Sequence, residues 1–253
     1  MPDTSTKSPD HYGWHAVPRA PTSLLSSVSH ITPPALALSS LPFPSTPLTR
    51  ATLFHVSSLL PRQTLNHSLR VYYFGAAILQ THFPHWLSDG WVDHETWLLA
   101  CLWHDIGTTH DHLRSTHMSF DFWGAIEAMH QLSSADFLKS QSEGDGKPAP
   151  KSQAESICEC ILRHQDPGET GTVTCLTALI QLGTLLDNAG KFGELVHRGT
   201  IEAVVAKFPR EGWSGCFAGT VREEIGLKPW ANSTRIEGFA DSVEGNELMK
   251  EWD

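Results

Sequence analysis

The sequence predicts an all-α protein on three observations. Apolar residues recur at three- and four-residue spacing through most of the chain, and the segments end in Pro84, Gly190 and Asp166-Pro167-Gly168. No stretch reads convincingly as a sheet, and there is no internal repeat. With 253 residues and 40% hydrophobic content the chain can bury a substantial core.

Residues 1 to about 50 carry Pro33-Pro34, Pro42, Pro44 and Pro47 among many Ser and Thr, too closely spaced for regular structure. They read as an irregular extension, tail-like or wrapped, ahead of a helical domain over 51–253. Leu65 to Phe83 places Leu69, Tyr72, Tyr73, Ala76 and Leu79 on one helical side and stops at Pro84. Glu95 to Trp103 is apolar nearly all round, which predicts a buried helix. A further helical stretch runs from Phe120 to Lys139, and 140–151 is a solvated linker. Ser152 and Glu155 have capping-box spacing, so a helix is expected from there to about His164. Val173 to Ala189, closed by Gly190, and residues 200–208 complete the helices, with the C-terminal region loop-rich and irregular after Pro229.

The 28 acidic residues against 18 basic ones give a formal charge of −10, which argues against a nucleic-acid surface. No apolar run approaches the roughly 18 residues of a membrane span, and the first ten residues have no signal-peptide pattern. Five cysteines, an odd number with three in apolar helical patterns, read as free thiols of a cytoplasmic protein. Trp213 and Trp230 form either a small satellite core or, if exposed, a contact between subunits of a homo-oligomer.

The stretch Leu102-Trp103-His104-Asp105-Ile106-Gly107 ends an apolar helix in an adjacent imidazole and carboxylate. Ionisable groups there are costly unless something binds them, and the pair suits a divalent cation. Gly107 is expected to turn the chain away beyond the helix end. His67 opens an earlier helix, Asp187 closes the most apolar one, and His164 ends the helix between. Each alone fits a structural role. Together they give His, His-Asp and Asp on successive helices, a nitrogen and oxygen set suited to zinc, iron or manganese.

Around these residues Asn66 to Tyr73, Cys101 to Thr108, Ser115 to Asp121, Arg163 to Asp166 and Leu179 to Asn188 resemble fungal cyanamide hydratases of the HD-domain superfamily. So do Pro209 to Trp213, Val221-Arg222 and Lys228 to Trp230, so the likeness covers roughly 60–230 in order. The resemblance implies a single HD-type helical bundle, one zinc ion per chain held by His67, His104, Asp105 and Asp187, and a lyase that hydrates cyanamide to urea. In that reading zinc-bound hydroxide attacks the nitrile carbon, His164 donates or orients a proton, and Thr184 hydrogen-bonds a ligand or substrate. Trp103 and Phe120 are expected to wall the pocket. The His-rich loop Thr109 to His112 and the linker have no counterpart in the pattern.

The rival enzyme is an HD phosphohydrolase of a nucleotide or phosphomonoester, in which His130 and His164 extend the site to two metals and Arg70, Arg114 and Arg163 meet phosphate. The non-catalytic rival is a binding domain whose metal has a closed coordination sphere.

Overall fold

In a computed structural model, residues 11–28, 31–141, 143 and 146–253 are described. The polar first ten residues and part of the linker therefore lie outside the described residues. The helices are α1 (Pro21–Ser26), α2 (Pro47–Leu59), α3 (Arg62–His82), α4 (Pro84–Ser88), α5 (His94–Trp103), α6 (His110–Ser115) and α7 (Phe120–Leu132). They continue as α8 (Ala135–Ser140), α9 (Lys151–Arg163), α10 (Cys175–Ala189), α11 (Arg198–Lys207), α12 (Trp213–Leu227) and α13 (Phe239–Glu244). The all-α class holds, with one three-residue ribbon pairing β1 (Ala16–Pro18) to β2 (Thr172–Thr174) antiparallel.

The long helix α3 packs on both α5 and α10, and α5 also meets α2 and α9. Every residue of α5 from Thr96 to Trp103 is buried, which is why its pattern lacks a polar face. Asp93 starts it by accepting from the Thr96 N–H at 2.7 Å. Gly190 ends α10 in the left-handed region, φ 66°. Gly107 does not turn the chain through positive φ; a Cβ there would lie 2.1 Å from the Phe120 carbonyl oxygen, so its role is close approach of α7.

The extension wraps rather than trails. Gly13 N–H donates to Trp91, Cys175 N–H donates to His15, and the Trp14 indole donates to Ser152 Oγ at 3.1 Å. That last bond replaces the expected capping box: α9 begins at Lys151 after Pro150, with no side-chain cap. The stretch from Phe120 to Lys139 breaks into α7 and α8; the C-terminal region expected to be loop-rich contains α12, and the tail expected to be irregular after Pro229 contains α13.

Two apolar clusters result. The larger is built around α3, α5 and α10; the smaller joins Leu113, Phe120, Trp213, Phe217, Val221 and Val243. Trp213 thus belongs to a satellite core, while Trp230 is 62% exposed. All five cysteines are free, and no helix among the described residues is long and apolar enough to cross a membrane.

Candidate metal centre

His104 and His164 occupy the same position on different helices, the residue just past the last turn of α5 and of α9. Carbonyls in a last turn lack intrahelical partners, and each imidazole takes one by donating from Nδ1: His104 to Cys101 at 2.8 Å, His164 to Ile161 at 2.7 Å. The bonded Nδ1 fixes the tautomer. Each Nε2 is left with a lone pair, and the negative ends of both helix dipoles favour a cation nearby.

His67 reaches the same state by another route. Its Nδ1 donates to Asp187 Oδ2 at 2.6 Å, because a carboxylate can only accept, and so its Nε2 also carries a lone pair. That nitrogen lies 3.2 Å from His104 Nε2 and 3.5 Å from Asp105 Oδ2. His104 Nε2 is 3.2 Å from Asp105 Oδ2, and His164 Nε2 is 3.8 Å from Asp105 Oδ1. All four side chains are buried.

Proton-free nitrogens facing one another at that range repel unless a cation sits between them. Neither oxygen of buried Asp105 accepts a hydrogen bond. A buried carboxylate left this way is costly, so the cluster is built for a positive charge. His67, His104 and Asp105 fit a metal ion: bonds of about 2.0–2.2 Å in a tetrahedron give edges of about 3.3–3.6 Å. Without the ion, burial opposes charge on every member. Asp105 is nonetheless held well below the usual carboxylate range by His104, His67 and His164. Burial would lower His104, but Asp105 beside it raises it overall. Burial keeps His67 low despite Asp187, and brings His164 down to about 4.

Asp187 stands behind His67, on the Nδ1 side of the ring rather than among these donors. Its Oδ1 accepts from Arg70 Nε at 2.8 Å and Arg210 Nη1 at 3.0 Å; its Oδ2 accepts from Arg70 Nη2 at 2.8 Å besides His67. Arg70, Arg210 and Asp187 are fully buried. Desolvation opposes the Asp187 charge, and the two guanidinium groups overcome it, holding the carboxyl far below its ordinary range. Trp213 lies flat on His67, with centroids 4.4 Å apart and an interplanar angle of 14°.

The HD domain family matches residues 64–207. Cyanamide hydratases DDI2 and DDI3 of Saccharomyces cerevisiae are each 34% identical over 233 residues, 92% of this chain and 95% of theirs. The chain belongs to the cyanamide hydratase family. The centre of this family member opens into a cavity of about 110 Å³ whose polar lining includes His104, Asp105, His164, Gln165, Thr184 and Asn188. Leu185, Phe217, Phe239 and Val243 supply its apolar wall. Thr184 lines it with an oxygen whose proton goes to the Ile180 carbonyl at 2.9 Å.

Trp103 and Phe120 do not wall this cavity. Trp103 packs on His55 and Phe137, and Phe120 lies behind His164 at 5.8 Å between ring centroids. The His-rich loop is also elsewhere: Thr109 caps α6, and His112 donates to the Ile106 carbonyl and packs at a tilt against Trp123. Of the phosphohydrolase residues only His164 lies at the centre. Arg70 is spent on Asp187, Arg114 pairs with Glu223, Arg163 with Glu159 and Asp166, and His130 is exposed. Arg210, Trp213 and Asn188 are residues to which the sequence reading gave no part in the metal site. Their signal lay only in the family-like segments Pro209 to Trp213 and Leu179 to Asn188.

Proposed function

We propose that this protein hydrates cyanamide to urea at a single metal ion, zinc in the first instance, held by His67, His104 and Asp105. The observation that carries the reading is the buried, unbonded Asp105 carboxylate facing imidazole nitrogens on a cavity of about 110 Å³. Sites for drug-sized ligands run to about 300–1,000 Å³, so the volume favours a small molecule over a nucleotide. Lys191 is the one Lys or Arg lining the cavity among the described residues, which suits an uncharged substrate better than a phosphate ester.

Bound here, such an ion supplies Lewis acidity and water activated near neutral pH. The chain's own residues do the rest. His164, neutral and locked through Nδ1, presents Nε2 to the reacting water, takes a proton from it and returns one to the nitrile nitrogen. Oxygen joins the nitrile carbon, giving isourea, which tautomerises to urea. Thr184 keeps oxygen lone pairs free to orient the substrate amino group. Asp187 acts through His67, fixing which nitrogen faces the ion. The free thiols suit a cytoplasmic setting.

Colorimetric detection should find urea formed from cyanamide by zinc-loaded protein, with no organic cofactor, and lost after a strong chelator. Zinc-loaded protein that makes no urea but releases phosphate from nucleotides would return the phosphohydrolase.

A second expectation concerns His164→Ala. Turnover should fall about 10²–10⁴-fold, the usual worth of a placed general acid–base group, with metal content retained. Wild-type turnover in the loaded variant would reduce His164 to filling the end of α9.

A further inference from the structure

Asn188 lies on α10 one turn after Thr184, on the same face of the helix, and both line the cavity. It is 8% exposed. Its Oδ1 accepts from the Trp213 indole Nε1 at 2.8 Å. An indole N–H can only donate, so this bond settles the amide's orientation: oxygen toward Trp213, the NH₂ group at the other end. No protein acceptor among the described residues takes that NH₂ group. It is not among the fully enclosed, unpartnered atoms either, so it reaches open space, and the space Asn188 adjoins is the cavity shared with His104, Asp105 and His164. A nine-tenths-buried side chain thus aims two unused protons into the reaction chamber. Trp213 holds it there while stacking on His67, so one indole positions a metal-binding ring and the amide together.

Two N–H donors fixed in a largely apolar chamber suit a neutral hydrogen-bond acceptor at the end of a small molecule. Resting on the hydratase reading, we propose that Asn188 is a catalytic residue whose side-chain NH₂ donates to the nitrile nitrogen as the C≡N bond opens and to the carbonyl oxygen of urea. The nitrile nitrogen is a weak acceptor at first and gains negative charge as oxygen adds to carbon. A donor already aimed at it, with no reorganisation to pay for, strengthens in the transition state.

The test uses zinc-loaded full-length protein. Asn188→Ala should lower kcat/KM for cyanamide about 10²-fold, the scale of losing one preorganised donor, with zinc content retained and a melting temperature lowered modestly by the orphaned Trp213 N–H. Asn188→Asp keeps an oxygen for Trp213 but replaces the donor with an acceptor, and the same loss is expected. In wild-type protein, urea titration should shift the Asn188 side-chain ¹⁵N–¹H₂ resonances saturably. Trp213→Phe keeps a stacked ring but frees the amide to flip, and should weaken that response. Wild-type kinetics in both Asn188 variants, or amide resonances unmoved by saturating urea, would overturn the proposal. Failure of the hydratase reading looks different: no urea from cyanamide in wild type, while urea still moves the Asn188 resonances. If Asn188→Ala loses its fold, the aspartate variant and the titration decide.

Discussion

Asp105→Ala is expected to abolish metal binding and cyanamide hydration together, and to uncouple the melting temperature of the protein from metal. The first half follows from the donor set, since two imidazoles without the carboxylate give a weaker and less neutralised site. Activity should fall by about 10³-fold or more, several kcal/mol of transition-state stabilisation at about 1.4 kcal/mol per decade. The second half follows from linkage, since an ion that binds only the folded wild type stabilises it and an ion that the variant does not bind cannot. Metal at about 1,000 times its Kd contributes about 4 kcal/mol to wild type, or about 8–16 °C in Tm for a domain of this size. A chelator should therefore lower the wild-type Tm and leave that of the variant alone. Paired calorimetric scans with elemental analysis check this, and a variant holding one metal per chain would sink the assignment.

The parts of this centre that the sequence disclosed are those whose cause is local. α5 and α10 announce themselves because burial on all sides forces nearly unbroken apolar runs, and His104, Asp105 and Asp187 stand out against them. α12 was illegible: Gly215, Gly219 and Gly226 lower its propensity, and Arg222-Glu223-Glu224 interrupt its apolar face. Packing of Trp213, Phe217 and Val221 in the smaller core forms it instead. The ribbon of Ala16–Pro18 with Thr172–Thr174 was hidden for the same reason, three residues being too few to alternate. The capping spacing at Ser152 was real but outbid by Trp14, which arrives from 138 residues away. The pocket wall shows the limit most clearly. Trp103 adjoins His104 in sequence, yet one residue along a helix turns a side chain by about 100°, so it faces Phe137 instead.

Asp187→Ala should behave unlike Asp105→Ala, because the two carboxylates stand in opposite electrostatic settings. Asp105 has lone pairs with no donors, whereas Asp187 accepts from Arg70, Arg210 and His67 and serves as the shared counterion of two fully buried guanidinium groups. Removing it strands Arg70 away from water and leaves Arg210 only Asp253, a loss of about 3–5 kcal/mol as for other broken buried pairs. At about 2–4 °C per kcal/mol, the metal-free variant should melt roughly 6–20 °C below metal-free wild type. Metal affinity should weaken about 10–100-fold, the usual consequence of removing the partner that orients a metal-binding imidazole, and occupancy should recover when metal is raised. Asp187→Asn offers the finer test, since it keeps the shape and one acceptor oxygen while giving up the charge both arginines need. If that variant melted with wild type when metal-free yet took up no metal at any concentration, Asp187 would be a ligand in its own right. The expected pattern, an unstable apo-protein that still loads, instead makes it the group that keeps the His67 Nε2 lone pair turned toward Asp105 and His104.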